Sequence, residues 1–358
     1  MITVMYNPKY HITSAIAAAL MQIEAIRQEL SGLIIQPKLL VSLRETATLV
    51  STHFSTQIEG NRLTLPEVKA VIKGAKFPGR ERDETEVRNH FLAFAFMEQL
   101  SASSSALQEK EIQQLHSLVM TGKAKTSPYR NQQNVIRDST SGKIVYLPPE
   151  APDVPILMEE LVNWVNASLA SSELPAPIIA GLAHYQFATI HPYLDGNGRT
   201  ARLLTTLILR RAGYGLGGIY SLDEHYAKNL RAYYEALSIG HHNYYEGRVE
   251  ADLTQFVGYF CTGMADAFSK IRIAASRIET PDDPLTGNLL RELDPRQRRL
   301  LSLFKDQGSA TSEEMASYLK MSQRTVVALA REWVASGFLE VQNPSRKTRS
   351  YRLAEKYC

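Results

Sequence analysis

The sequence predicts a mostly α-helical chain with one β-hairpin and a separate C-terminal domain. Apolar residues recur at helical spacing along most of the chain, as in residues 203–208, whereas the alternation typical of strands is scarce. Two short apolar runs flank a turn-rich segment within residues 130–149, which indicates a hairpin. Residues 279–290 contain proline, aspartate and glycine and interrupt the helical pattern, as a linker between domains does.

Length and composition indicate a globular protein with a large core. The chain has 358 residues, of which 44% are hydrophobic, enough for two or three domains. The formal net charge is +3, from 40 basic and 37 acidic residues, so overall charge does not indicate a nucleic-acid or membrane partner. The two cysteines, Cys261 and Cys358, form no disulfide framework and no metal-ligand pattern. Because no apolar run reaches membrane-spanning length, we expect a cytoplasmic protein without a membrane partner.

These patterns divide the chain into four regions. We expect an N-terminal helical region over residues 1–100, a core that carries the chemistry over residues 101–278, the linker over residues 279–290 and a C-terminal domain over residues 291–358. The N-terminal region contains the charged run Gly79–Arg88, which we interpret as solvated surface.

The most informative segment is residues 184–202, which reads HYQFATIHPYLDGNGRTAR. An apolar helix stops at His191, because Pro192 cannot continue it. The glycine-rich segment Asp195–Gly198 then provides backbone freedom before the helical pattern resumes at Arg199. The first N–H groups of a helix lack partners and carry the positive end of its dipole. This helix–loop–helix pattern therefore predicts an anion site, suited to phosphate.

The side chains around this loop fit phosphate-transfer chemistry. His191 titrates near neutrality and can accept a proton from an incoming hydroxyl. Asp195 is a hard oxygen ligand suited to Mg²⁺, and Asn197 can donate a hydrogen bond to a phosphate oxygen. Arg199 and Arg202 can neutralise distal phosphates with bidentate geometry. The alternative is a structural loop in which His191 only caps its helix.

The segment His191–Arg202 resembles the signature of the Fic domain family, His-Pro-Phe-x-x-(Asp or Glu)-Gly-Asn-Gly-Arg-x-x-Arg, with Tyr193 in place of the phenylalanine. The resemblance implies a Fic-type helical bundle and the transfer of AMP from ATP to a hydroxyl group of a protein. It assigns His191 as the general base and Asp195 as the Mg²⁺ ligand. The positions that it implies for the nucleotide are Gly196, Asn197, Gly198, Arg199, Thr200 and Arg202, with the γ-phosphate on Arg202.

The loop leaves related reactions open. Doc toxins, which are similar, carry a lysine where this chain has Gly198 and transfer the γ-phosphate, so Gly198 favours AMP transfer. Uridylyl and phosphocholine transfer also occur in the wider family, and the loop excludes neither. The acceptor hydroxyl belongs to serine, threonine or tyrosine, on an unidentified target protein or on the chain itself.

Two further segments match the family. The predicted hairpin, with strands around Ile136 and over Ile144–Leu147, resembles its flap, which pairs with an extended segment of the target; an ordinary surface hairpin is the alternative. Tyr233 begins a segment that resembles the adenine and ribose site, although tyrosines at helical spacing also pack cores. The flap positions are Ile144, Val145, Tyr146 and Leu147.

A possible brake lies in Ser55–Asn61, which resembles the family's inhibitory motif, (Ser or Thr)-x-x-x-Glu-(Gly or Asn). Ser55 and Glu59 are one helical turn apart. The resemblance implies that Glu59 pairs with Arg202 and so prevents productive binding of the γ-phosphate, because a buried bidentate pair of this kind can compete with phosphate. Release would need Glu59 to move, through a change of oligomer, such as a homodimer, or through autoadenylylation.

The C-terminal domain resembles a winged helix-turn-helix domain. Residues 311–314 form a capping box that opens a helix to Leu319, and Ser322 caps the next helix after a short turn. Two predicted strands, residues 338–341 and 349–353, form the wing. The basic residues suited to DNA phosphates are Arg324, Arg331, Arg346, Lys347 and Arg349. Dimerisation or protein contacts are the alternative.

Two rival functions remain open. The chain could be a DNA-binding transcription regulator in which the Fic body senses a nucleotide, although a sensor does not need the base His191. It could also remove AMP from a modified protein, with Glu59 activating a water molecule. Analysis of the products separates transfer from removal.

Overall fold

The computed structural model describes residues 6–31, 37–103, 105–137, 142–239, 243–279, 293–343, 345 and 349–354. It divides into two compact units, Met1–Arg272 and Ile273–Cys358. The predicted linker lies outside the described residues except for its first position, so the four domain boundaries stay predictions. No helix in the described part is long and apolar enough to cross a membrane.

The first unit is mostly helical, as the sequence predicts. Its helices are α1 (Ser14–Ser31), α2 (Pro37–Ile58), α3 (Leu65–Ile72), α4 (Glu81–Ser101), α5 (Glu109–Thr121), α6 (Val154–Ser171), α7 (Ala176–Ile190), α8 (Asn197–Leu209), α9 (Asp223–Lys228), α10 (Leu230–Leu237) and α11 (Tyr245–Val249). Helix α12 (Thr254–Glu279) begins in this unit and ends beyond Arg272. The predicted hairpin is present, formed by β1 (Ile136–Arg137) and β2 (Ile144–Tyr146). The strands are antiparallel, with Ile136 opposite Tyr146.

The centre of this unit is the pair α7 and α8. Nearly every residue of α7 is buried, including the polar His184, and a helix that is apolar all round belongs in a core. Helix α8 packs against α7, α4 and α5, and α2 also contacts it. The loop between α7 and α8 is therefore held from several sides.

The charged run Gly79–Arg88, which includes the start of α4, is only partly exposed to solvent. Helix α4 begins inside the run, and Glu84 is 3% exposed. Its carboxylate accepts a hydrogen bond from the Phe77 N–H and lies 3.0 Å from Arg88. The expectation of a solvated surface is wrong at Glu84, because this carboxylate closes the turn that leads into α4.

The described residues of the second unit from 293 onward form the helices α13 (Pro295–Gln307), α14 (Ser312–Leu319) and α15 (Gln323–Ala335) and the strands β3 (Ala310–Thr311), β4 (Leu339–Asn343) and β5 (Ser350–Leu353). The antiparallel sheet has the order β3-β5-β4. Both predicted caps are present, since Thr311 and Glu314 form the capping box and the Ser322 hydroxyl accepts from the Thr325 N–H at 3.2 Å. The core contains Trp333 and Phe338.

Candidate active site

His191 ends α7 in a left-handed conformation, with φ 51°, and its N–H donates to the Phe187 carbonyl at 3.0 Å. Its ring atom Nδ1 lies 3.4 Å from the Ala188 carbonyl oxygen. Burial lowers the pKa of His191 to about 4, so the imidazole is neutral at pH 7. In the tautomer that donates from Nδ1, the atom Nε2 keeps its lone pair and can accept a proton.

The loop after His191 is fixed by side chains that bond to its backbone. Asn197 accepts from the Tyr193 N–H at 3.0 Å and donates to the Tyr193 carbonyl at 2.8 Å. Arg130 donates from Nε to the His191 carbonyl at 3.0 Å. His116 stacks on the Tyr193 ring, with the centroids 3.4 Å apart, and its Nε2 lies 2.9 Å from the Asp195 carbonyl oxygen. The side chain of Asn197 thus holds the loop; its predicted bond to phosphate stays a prediction.

Both glycines of the loop lie close to side chains from other helices. Gly196 has φ 78°, and an added Cβ would lie 2.6 Å from the Met120 sulfur. At Gly198, within the first turn of α8, an added Cβ would lie 2.3 Å from Glu59 Oε1. The carboxylate of Glu59 therefore lies against the N-terminus of α8, where the sequence predicts an anion.

Arg202 is the main partner of the predicted inhibitory motif. Its Nη2 donates to Glu59 Oε1 at 2.9 Å and to the Ser55 carbonyl at 2.8 Å, and its Nε donates to the Ser55 hydroxyl at 2.9 Å. The predicted pairing is present, but Glu59 contacts one nitrogen only, so the pair is not bidentate. A second carboxylate oxygen, Asp223 Oδ1, lies 3.2 Å from Arg202 Nε.

The charge state of Arg202 follows from these neighbours. Burial disfavours its charge, but the carboxylates of Glu59 and Asp223 outweigh burial and raise its pKa. The atom Nη1 is buried and has no hydrogen-bond partner within the described residues. Arg202 is therefore a fixed cation with one donor group left for a ligand.

These groups line one cavity of about 770 Å³. Glu59, Gly198 and Arg202 form one part of its wall, and His191 lies in the same cavity. Arg199 is not among the lining residues. Its buried guanidinium lies 3.9 Å from the Met120 sulfur and 3.4 Å from Asp195 Oδ1. The predicted role of Arg199 at the distal phosphates stays a prediction.

Residues 106–209 match the Fic/DOC family. This part of the chain is a Fic domain. The protein adenylyltransferase Fic of Drosophila willistoni is 30% identical over 199 residues, which are 54% of this chain and 38% of the fly protein. The Drosophila virilis protein of the same name is 32% identical over 166 residues, which are 45% of this chain and 33% of that protein. The chain thus spans well under half the length of these curated relatives.

Two solved structures share the fold. A Fic family protein from Desulfovibrio desulfuricans G20 superposes with a TM-score of 0.69 and 26% identity over 98% of this chain and 99% of that chain. A Fic domain containing signaling protein from Bacteroides thetaiotaomicron superposes with a TM-score of 0.61 and 23% identity over 70% of this chain and 94% of that chain. The first similarity extends well beyond the Fic domain.

On the nucleotide side, two neighbouring tyrosines line the cavity. Tyr233 is 2% exposed, and its hydroxyl lies 2.9 Å from His184 Nε2, whose ring binds Thr205 Oγ1 at 2.9 Å through Nδ1. Tyr234 is 47% exposed. Tyr233 is thus tied into the core beside Arg202, and Tyr234, which the sequence analysis missed, offers the more accessible ring.

The flap residues divide into two kinds. Ile144 and Val145 are exposed, as a surface that pairs with another segment would be. Tyr146 is 1% exposed and donates from its hydroxyl to the Thr189 carbonyl at 2.6 Å. Leu147 already bonds through its backbone to Asn243 and Tyr245, so its hydrogen-bonding edge is occupied.

The predicted Mg²⁺ ligand, Asp195, is not among the residues that line the cavity, and its role at a metal stays a prediction. The Asp195 side chain is 64% exposed, and its Oδ1 accepts from the Gly196 N–H at 2.6 Å. No group of three potential ligands occurs among the described residues. A single outward-facing carboxylate suits Mg²⁺, which binds one or two protein carboxylates and takes its other ligands from phosphate and water.

Several functional contacts were not apparent from the sequence. They involve residues far from the loop along the chain. His116, Arg130, His184 and Asp223 each contact the loop or a side chain that lines the cavity. Arg248 lines the cavity itself. No local pattern marks these positions, because the contacts join distant parts of the chain. His116 and Asp195 are 79 residues apart, and His184 and Tyr233 are 49 residues apart.

Proposed function

We propose that this protein is an adenylyltransferase that transfers AMP from ATP to the hydroxyl of a serine, threonine or tyrosine side chain. One observation carries the proposal: the neutral imidazole of His191 and the N-terminus of α8, with Arg202, face the same cavity. A base for a hydroxyl beside a site for phosphates suits nucleotidyl transfer. The name shared by the curated relatives supports the same activity.

In the proposed reaction, His191 Nε2 accepts the proton of the acceptor hydroxyl. The hydroxyl oxygen forms a bond to the α-phosphorus, the bond from this phosphorus to the bridging oxygen breaks, and pyrophosphate leaves. The free N–H groups of the first turn of α8 stabilise the developing negative charge. Arg202 holds the γ-phosphate through its guanidinium. Mg²⁺, held by Asp195, would neutralise phosphate charge.

We also propose that Glu59 restrains this activity. Its carboxylate lies against Gly198 and 2.9 Å from Arg202 Nη2, where the proposal places the γ-phosphate. A γ-phosphate on Arg202 has to displace it. Because the contact uses one nitrogen and the Glu59 side chain is 28% exposed, displacement is within reach of a tightly bound polyanion.

Transfer of label from α-labelled ATP with Mg²⁺ tests both proposals. We expect weak labelling of the wild type, strong labelling by Glu59→Gly of itself or of a lysate protein, and none when His191→Ala is added. Equal labelling by the wild type and Glu59→Gly would contradict the restraint. Absence of label in all three, with release of AMP from a pre-modified protein, would favour the reverse reaction.

The acceptor and the assembly are part of the proposal. The acceptor is another protein or the chain itself, and Ile144 and Val145 on the flap offer the exposed surface for its segment. A homodimer is the assembly through which Glu59 could be released. Light scattering of the wild type and of its adenylylated form measures whether the oligomer changes.

The C-terminal unit supports a second proposal, a winged helix that binds DNA. The capped pair α14 and α15 followed by β4 and β5 has the order of that fold, and Arg324 and Arg331 on α15 are exposed. Arg346 and Lys347 lie outside the described residues. We expect duplex DNA to bind with an affinity that falls steeply with salt and weakens in Arg324→Ala with Arg331→Ala. Equal affinity of the double variant would favour protein contacts instead.

A further inference from the structure

Arg248 is a buried cation in the cavity, and no carboxylate pairs with it among the residues that the structure describes. It lies on α11, is 8% exposed, and its guanidinium carbon is 3.7 Å from the centroid of the Tyr146 ring. The atom Nε is buried without a hydrogen-bond partner, and no ion pair joins Arg248 to another described residue. An arginine that is removed from water without a carboxylate is costly unless a ligand completes it.

The charged residues that line the cavity also carry an excess of positive charge. Arg137, Arg202 and Arg248 face a single carboxylate, that of Glu59, among the described lining residues. Glu59 already contacts Arg202. The excess positive charge therefore lies with Arg137 and Arg248, on the flap side of the cavity.

The position of Arg248 relates it to the acceptor. Arg248 stacks on Tyr146, and the Tyr146 hydroxyl bonds to the carbonyl of Thr189, two residues before His191. Through Tyr146, Arg248 is therefore held near the C-terminal end of α7, where His191, the proposed base, also lies. The phosphates of ATP have Arg202 and the N-terminus of α8 as partners, and adenine and ribose carry no charge.

We propose that Arg248 binds a carboxylate of the acceptor segment, so that the enzyme selects hydroxyls flanked by an acidic residue. This inference rests on the proposed function for its acceptor. The guanidinium offers a planar pair of donors to the carboxylate. Its stacking on Tyr146 holds it in place before the acceptor arrives, which reduces the entropy lost on binding.

The test uses peptides of about ten residues that contain one tyrosine and one glutamate. The glutamate is placed at each position from three before to three after the tyrosine, and each peptide is compared with one that has glutamine at the same position. Fluorescence anisotropy measures their binding to the His191→Ala, Glu59→Gly variant with ATP present, so no transfer is needed. For at least one position we expect the glutamate peptide to bind about 10-fold or more tightly than its partner, as for a charged hydrogen bond.

In the same background, Arg248→Gln should abolish this preference, and Arg248→Lys, which keeps charge but not the planar group, should keep a smaller one. Arg231→Gln is the matched control, because Arg231 is 88% exposed on α10 and does not line the cavity. Thermal unfolding checks that each variant folds. A glutamate preference that is absent from every position, or unchanged in both Arg248 variants, overturns the inference.

A transfer assay separates this inference from the proposed function. In Glu59→Gly, the preference should appear as a lower KM for the glutamate peptide, with the KM for ATP unchanged. Peptide preference in binding without any transfer would leave Arg248 as an anion site and refute the adenylyltransferase. Transfer without a preference for the glutamate peptide would support the adenylyltransferase and refute the role proposed for Arg248.

Discussion

At the scale of single residues, the proposed activity and the proposed restraint by Glu59 both depend on Arg202. Glu59 and Asp223 contact it through different nitrogens, and Ser55 accepts two hydrogen bonds from it. Only Nη1 has no partner in the described part of the chain. An arginine held in this way has its side-chain entropy lost on folding rather than on binding a phosphate.

The first prediction concerns Asp223, which is 5% exposed and accepts from the Ser51 hydroxyl. We expect Asp223→Asn to lower the free energy of unfolding by roughly 1–3 kcal/mol, below the cost of a fully broken buried pair because Glu59 still contacts Arg202. The loss should be larger in the Glu59→Gly background, where Arg202 has neither carboxylate. Urea unfolding of the four combinations measures it, and strictly additive losses would contradict shared support of Arg202.

A second prediction at this scale is the pH dependence of transfer. The pKa of His191 is lowered to about 4 by burial, and only the neutral form can accept a proton. In Glu59→Gly, the rate should therefore stay nearly constant from pH 8 to about pH 5.5 and fall at lower pH. Single-turnover labelling over this range measures it. A midpoint near 6.5, the ordinary value for histidine, would show that the cavity does not desolvate the ring.

At the scale of elements, the end of α2 packs into the first turn of α8. The contact is possible because Gly198 lacks a side chain, so Glu59 reaches the turn that the sequence predicts for phosphate. The proposed restraint thus depends on a close approach of two helices rather than on a separate inhibitory domain.

Gly198→Ala tests this approach. The added methyl group would lie 2.3 Å from Glu59 Oε1 and 3.1 Å from Arg202 Nη1, so Glu59 has to move. We expect a loss of about 1–3 kcal/mol in the free energy of unfolding, as for overpacked sites, and a much smaller loss in Glu59→Gly. Gly258→Ala is the control, because a Cβ there would have an ordinary 3.7 Å contact with Ile16. Equal losses in both backgrounds would place the clash elsewhere.

At the scale of the whole molecule, burial lowers the pKa of several histidines that the structure describes in the first unit. Burial lowers the pKa to about 3 for His90 and His184 and to about 4 for His116 and His191. An unfolded histidine binds a proton near pH 6.5. Below that pH the unfolded chain takes up protons that the folded chain does not, so stability falls as the pH drops from about 6.5 toward about 4.

Urea unfolding at pH 7, 6 and 5 tests this acid sensitivity. Each such histidine contributes up to about 1.4 kcal/mol per pH unit within the window. His90→Leu should reduce the slope by about one proton, because neither ring nitrogen of His90 has a hydrogen-bond partner in the described residues. Stability that is constant across the three pH values would contradict the prediction.

Much of the fold and part of the site could be predicted from sequence, because both depend on local chemistry. Helical periodicity, the proline after His191 and the glycines of the loop determine where α7 ends and α8 begins. The capping residues Thr311 and Ser322 determine the starts of α14 and α15 in the same way. Such signals act over one helical turn, so they can be read without knowing any partner.

The remaining features were decided by tertiary structure, because they join residues that no local pattern relates. The sequence could propose that Glu59 meets Arg202, but the single-nitrogen contact and the second carboxylate, Asp223, follow from how α2 and α9 pack beside α8. Burial, not residue type, sets the neutral state of His191. The proposed anion site at Arg248 likewise depends on the fold, which removes Arg248 from water beside Tyr146 with no carboxylate paired to it among the described residues. The sequence thus determines the chemistry that is available, and packing determines which charges are left unpaired.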